Sequence, residues 1–278
     1  MRCEIPSRII NEESINQAVV LPEANSNYDI NIFSKHFKPQ EMFGEVQQCL
    51  DRGSTVVFDI CDNHFNRDAK EVYLYICKQA HVITCNTEQM KKAIKENTGR
   101  DAFVVSDPIT FPKGNIRVNR NKNPKILWFG HASNISPVFN QKYKLTCISN
   151  FQPTKEEEEQ FPHIRFAPWG LGIVENEIKN FDIVVLPTAG LRHWISTKSP
   201  NRAVDSLFSG KFVITDNEQI FGELKDYIWI GDMKEGLKYY LDNPTEVYNK
   251  LIEGQQFVAD RYNHKEIFNQ WKIPLSLT

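Results

Sequence analysis

Two cations stand four residues apart in Thr197-Lys198-Ser199-Pro200-Asn201-Arg202-Ala203-Val204-Asp205, where a helix is expected to begin. Ser199 suits the N-cap, and Pro200 suits the first helical position, where its missing N–H costs nothing. A helix opening this way presents backbone N–H groups and a positive dipole end, which together hold anions. Lys198 and Arg202 are unfavourable neighbours for that end unless a polyanion lies between them. A diphosphate would serve. Asp205 falls one turn further on, near the face of Asn201 and Arg202, where a carboxylate can accept from ribose hydroxyls. The competing reading is an ordinary surface helix with an Arg202–Asp205 pair.

Three further groups could act with this one. Gly130-His131-Ala132-Ser133-Asn134 follows an apolar run, so Gly130 allows a ligand close to the backbone. His131 can reach a phosphate or sugar hydroxyl, or can be a structural turn histidine. Trp169, in Ala167-Pro168-Trp169-Gly170, can border a nucleobase or pack in a core. Asp59, Asp62 and His64 gather at the end of Thr55-Val56-Val57-Phe58-Asp59. One of them is placed to be a general base or to contact a sugar, although Asp62-Asn63 could equally form an Asx-turn. Lys35 ends an earlier strand on the same side. Neither G-x-G-x-x-G nor G-x-x-x-x-G-K-[ST] occurs, which disfavours a standard dinucleotide fold and a P-loop NTPase.

These groups sit in loops that need rigid strands behind them, and the sequence supplies strands in alternation with helices. The first series reads Asn31–Phe33, a helix from Pro39 to Arg52 ended by Gly53, Thr55–Asp59, a helix to Gln79, Val82–Cys85, a helix capped by Thr87 and stopped by Gly99, and Ala102–Val105. The stretch 106–124 carries Pro108, Pro112, Gly114 and Pro124 with no periodicity and reads as loop and linker. A second series runs from Lys125–Phe129 through Leu145–Ser149, Ile164–Ala167 and Asp182–Pro187 to Phe212–Thr215, followed by a helical tail. Strands joined by helices imply parallel sheets, with ligands beyond the carboxyl ends of the strands.

At 278 residues the chain has room for two domains of ordinary size. Its formal net charge is −2, which supplies no bulk positive field for nucleic acid. Six scattered cysteines without a C-x-x-C pair read as buried reduced thiols. The amino end lacks an apolar signal core, and no run is long enough to span a bilayer, so a soluble, cytoplasmic protein is expected.

The stretch Phe181-Asp182-Ile183-Val184-Val185-Leu186-Pro187-Thr188, followed by Lys198 to Ile214, resembles the donor-binding segment of GT-B glycosyltransferases, closest to group-1/family-4-like enzymes. Lys125 to Asn134 resembles the first strand and glycine turn of that domain. Val57 to His64, with Thr84 to Met90, resembles the acceptor side. The resemblance implies an α/β fold of two Rossmann-like domains facing across a cleft: an acceptor-side domain over 1–120, a nucleotide-sugar domain over 121–262, and a C-terminal helix over 263–278 returning to the first. It implies a hexosyltransferase-like enzyme needing no cofactor, with Lys198 and Arg202 on the donor diphosphate, Asp205 on the ribose and Gly130 near the phosphate and sugar. The substrate-binding set is then Gly130, His131, Trp169, Lys198, Ser199, Asn201, Arg202 and Asp205. The catalytic set is Asp62, His64, Lys198 and Arg202. No Asp-x-Asp triplet is present, so metal-independent transfer is expected.

Many retaining members carry two glutamates separated by seven residues. Here Thr197 and Asp205 occupy those places, which leaves the stereochemical outcome open. Expected partners are a nucleotide-diphosphate sugar and a glycan or lipid-linked glycan acceptor, with room for a second copy of the chain to complete a short first domain. The alternatives are a sugar-nucleotide epimerase or hydrolase on the same fold, and a non-catalytic nucleotide-sugar-binding module.

Overall fold

The computed structural model describes residues 4–14, 16–21, 27–34, 39–119, 123–188 and 196–277. Lys35 and Cys3 lie outside them. The chain divides into two compact units, Met1–Pro108 with Trp194–Ser199 and Tyr262–Thr278, and Ile109–His193 with Pro200–Arg261.

In the first unit, β1 (Ile30–Ser34), β2 (Thr55–Ile60), β3 (Val82–Cys85) and β4 (Phe103–Val104) form a parallel sheet in sequence order. The helices are α1 (Glu4–Glu13), α2 (Pro39–Asp51), α3 (Lys70–Gln79) and α4 (Glu88–Thr98). Local chemistry sets the boundaries: Thr87 accepts from the Met90 N–H at the start of α4, and Gly99 ends it at φ 70°. One core packs α2, α3 and α4 around Phe58, Ile76 and Ile83. On the other side of the sheet, Ile9 and Ile10 of α1 meet Val57, Phe268, Trp271 and Leu275. Helix α1 is an addition to the elements expected from the sequence.

In the second unit, β5 (Ile126–Gly130), β6 (Leu145–Ser149), β7 (Ile164–Pro168), β8 (Ile183–Leu186), β9 (Phe212–Thr215) and β10 (Trp229–Ile230) form a parallel sheet ordered β10-β9-β8-β5-β6-β7. Its helices are α5 (Ser136–Phe139), α6 (Lys155–Gln160), α7 (Leu171–Glu177), α8 (Asn201–Phe208), α9 (Glu218–Phe221), α10 (Met233–Asp242) and α11 (Pro244–Arg261), while α12 (His264–Leu275) belongs to the first unit. From β5 the chain winds outward through β6 and β7, then returns to place β8 on the other side of β5. That reversal makes the carboxyl ends of β5 and β8 a topological switch point, the place where open α/β sheets bind ligands.

The stretch 109–119 has neither helix nor strand and packs onto α8 within the second unit. The Gly114 N–H donates to the Phe208 carbonyl at 3.0 Å, and Gln255 donates to both the Gly114 and Phe208 carbonyls. The five described cysteines are buried and form no disulfide among the described residues. No helix among the described residues is long and apolar enough to cross a membrane.

Candidate active site

At the switch point of the second unit, β5 ends in Phe129 and Gly130, and α8 brings Arg202 against them. The Arg202 guanidinium donates to the Phe129 carbonyl at 3.0 Å and lies over the Trp128 ring, 5.9 Å from its centroid. Burial lowers its pKa to about 10. Among the described residues no carboxylate pairs with Arg202, and the Arg202–Asp205 pair weighed from the sequence does not form. A desolvated cation without a counter-charge is costly unless something anionic completes its surroundings.

Gly130 makes this placement possible. A Cβ there would come within 2.9 Å of the Arg202 guanidinium and 3.2 Å of the Trp128 ring. Gly130→Ala is therefore expected to displace Arg202 with little loss of stability. If nucleotide binding depends on Arg202, its affinity should fall about tenfold, a loss of ~1.4 kcal/mol, measured by titration beside a melting curve.

The helix end differs from the sequence expectation. Pro200, not Ser199, occupies the cap position of α8, and no side chain caps it. The division between units falls between Ser199 and Pro200, so Ser199 belongs with the first unit. The first intrahelical bonds close on the Pro200 carbonyl, from Ala203 at 2.8 Å and Val204 at 3.1 Å. The N–H groups of Asn201 and Arg202 precede any helical acceptor, which keeps the anion-binding character of this end.

Asp205 is turned inward. It is 5% exposed, and its carboxylate accepts from the Thr110 N–H at 2.8 Å, the Thr110 hydroxyl at 2.6 Å and the Phe111 N–H at 3.3 Å. The structure thus uses it as a latch between α8 and the 109–111 stretch, where the sequence pointed to ribose. His131 caps the short 3-10 turn Ala132–Asn134: its Nδ1 accepts from the Ser133 N–H at 3.2 Å. Trp169 is 39% exposed just past β7, whose end lies at the β6 side of the sheet. At the end of β8, Thr188 donates through its N–H and its hydroxyl to Asp216, at 2.8 and 2.7 Å. This pairing was not anticipated.

The first unit gathers its own polar group at the strand ends. Asp59 is 2% exposed and accepts from the Ser34 hydroxyl at 2.8 Å and the Thr84 hydroxyl at 2.9 Å, which makes it a buried brace for β1, β2 and β3. Asp62 pairs with Lys198 at 2.9 Å, both half-buried. This commits Lys198 to a carboxylate where the sequence pointed to phosphate. The Asx-turn reading holds one residue later, with the Phe65 N–H donating to the Asn63 side chain at 3.1 Å. His64 packs on Tyr73 with ring centroids 4.8 Å apart. Burial pushes its imidazole below the ordinary value, Asp62 opposes this, and Arg67 and Lys198 add to the lowering.

Asn86, just beyond β3, was missed. It is 6% exposed, its Nδ2 donates to the Cys61 carbonyl at 3.2 Å, and its buried Oδ1 has no hydrogen-bond partner among the described residues. The carbonyl fixes which way the amide faces, so the oxygen is left waiting for a donor. The only signal in the sequence was its position immediately after an apolar strand. Among the described residues no group of three or more His, Cys, Asp or Glu side chains is arranged to hold a metal ion.

No family model matches this chain, and no curated protein matches it. Solved structures do. HepE of Anabaena, in complex with UDP and glucose, matches at a TM-score of 0.71 and 12% identity, over 90% of this chain and 78% of HepE. TarM matches at 0.66 and 10% identity, over 87% of this chain and 53% of TarM. An alpha-glucosyltransferase in complex with UDP-glucose and DNA containing an abasic site matches at 0.58 and 10% identity, over 90% and 81%.

The chain has the GT-B glycosyltransferase fold. The β5–β8 switch point and α8 lie in the second unit, and the ends of β2 and β3 in the first. Arg202 and Gly130 come together in the second unit, while Asp62, His64 and Lys198 come together in the first.

Proposed function

We propose that this chain transfers a sugar from a nucleoside-diphosphate sugar to an acceptor hydroxyl, without a metal ion, in the cytoplasm. The observation that carries the reading is the half-buried, desolvated Arg202 guanidinium, without a counter-charge among the described residues, beside the uncapped start of α8. Donor diphosphate would supply the missing charge. As the bond from the anomeric carbon to the diphosphate breaks, negative charge grows on the departing phosphate oxygen, and fixed donors aimed there lower the barrier. Support also comes from the solved structures of the same fold that hold UDP or UDP-glucose.

On the acceptor side, His64 is the base. Its lowered pKa keeps the imidazole neutral at neutral pH, ready to take the proton of the attacking hydroxyl. With Lys198 held by Asp62, the phosphate charge falls chiefly to Arg202.

Thermal-shift titration with UDP, GDP and ADP, followed by a transfer assay with the sugar of the tightest binder, tests the reading. A nucleoside diphosphate should raise the melting temperature, since only a ligand of the folded state does so. No shift from any of them would end it.

The base assignment has a pH test with two opposite arms. Activity should fall as pH drops through the His64 pKa, so the acid limb lies below the usual imidazole range. Lys198→Met removes a charge that lowers this pKa and should move the limb to higher pH. Asp62→Asn removes the charge that raises it and should move the limb lower. His64→Gln should cost roughly 10²–10⁴ in kcat. Limbs that move together, or not at all, would assign the base elsewhere.

A further inference from the structure

The second unit holds a cavity of about 440 Å³ on its β10 edge, within the range of small-molecule sites, about 300–1,000 Å³. The residues of the β5–β8 switch point do not line it. One wall is Trp229, and three features fix its ring. The indole N–H donates to the Asp232 carbonyl at 3.0 Å. The ring packs against Tyr239 with centroids 5.0 Å apart, at 36° between planes. Gly236 leaves the space the indole fills, since a Cβ there would come within 2.6 Å of it. A glycine inside a helix weakens that helix, so the opening in α10 serves to seat the ring.

Polar groups of both signs surround the aromatic pair. Glu218 and Glu246 supply carboxylates, and Lys225 and Lys250 supply ammonium groups. Lys250 Nζ donates to the Asp226 carbonyl at 2.7 Å, which anchors it and leaves N–H groups to spare. Tyr239 contributes its ring, while its hydroxyl is buried away from solvent and is pushed up in pKa by that burial, with Glu246 adding to it. The two pairs of charges cancel, and the cavity has no excess charge to recruit a phosphate. What it offers is a rigid apolar ring face, ringed by acceptors and donors in balance. Pyranose rings match that chemistry, with C–H groups against an aromatic face and hydroxyls able to give and accept hydrogen bonds around the rim.

We propose that this cavity binds one or two residues of a neutral glycan, independently of the nucleotide at α8. The test uses the full chain with maltotetraose, cellotetraose and chitotetraose as probes, tetragalacturonate as the anionic comparison, and saturation-transfer NMR with calorimetry as readouts. At least one neutral probe should bind in the presence of saturating UDP. Glu246→Gln with Lys225→Ala, both on the rim, should weaken that binding tenfold or more without changing the melting temperature. Gly236→Ala should also weaken it by tilting the indole, with a fall in melting temperature because the added Cβ meets buried Ile214 as well, and Arg202→Met should leave it unchanged. The proposal is overturned if no neutral probe binds, if UDP displaces the probe, if the rim variant binds normally, or if tetragalacturonate binds more tightly. UDP binding and sugar transfer, measured on the same preparations, report the α8 site separately, so failure at one site is not mistaken for failure at the other.

Discussion

Arg202→Met is expected to leave the melting temperature of the ligand-free protein unchanged or to raise it, while removing the upward shift given by UDP. The two halves of this result have one cause. In the wild type the guanidinium is desolvated beside Phe129 and Trp128, with no carboxylate to balance it among the described residues. Replacing this half-buried charge by an apolar side chain of similar length removes that cost, and such changes at desolvated charges are often neutral or stabilising. The same replacement deletes the cation that the diphosphate would meet. Losing one fixed donor to a developing oxyanion costs about 10²–10³ in kcat, and a comparable loss is expected here. Arg202→Lys should not restore activity, because an ammonium cannot both reach the Phe129 carbonyl and lie flat over the indole. Melting curves with and without UDP, beside transfer rates, check all three statements. If Arg202→Met melts well below the wild type and still responds to UDP, the arginine is a structural strut and the donor site lies elsewhere.

How much of this was legible beforehand depends on how far apart the interacting residues are in sequence. Thr87 and Gly99 mark the ends of α4 because a cap and its helix are neighbours in the chain, and both marks hold. The alternation of apolar runs and helices yields two parallel sheets for the same reason. Ile5, Ile9 and Ile10 carried the apolar spacing of α1, but its partner stripe lies at Phe268 and Trp271, at the other end of the sequence. Strand order is a further case: nothing in the second series of strands announces that β8 returns to the far side of β5, yet that return creates the switch point. Arg202 was recognisable as a cation at a helix start, whereas its isolation depends on Asp205 being engaged elsewhere. Asn86 is an unremarkable amide until the Cys61 carbonyl turns it and leaves its oxygen bare.

Asp205 separates the two kinds of inference most sharply, because its sequence role and its structural role predict different measurements. Asp205→Ala would strip the acceptor from two backbone N–H groups and one hydroxyl, all held at 3.3 Å or less. A buried donor left without a partner costs about 1–3 kcal/mol. Allowing for relaxation of the 109–111 stretch, a total loss of about 3 kcal/mol is expected, which lowers the melting temperature by roughly 6–12 °C for a chain of this size. Thr110→Val removes only the hydroxyl and should cost about 1 kcal/mol. Because the two side chains share one hydrogen bond, the double variant should be less destabilised than the sum of the singles. Nucleotide affinity, measured well below the lowered melting point, should change little. The ribose role forecasts the reverse: normal melting for Asp205→Ala and a large loss of UDP binding. That result would move the carboxylate from the interior of the second unit to the ligand, and Thr110 would then need another reason for its place beside α8.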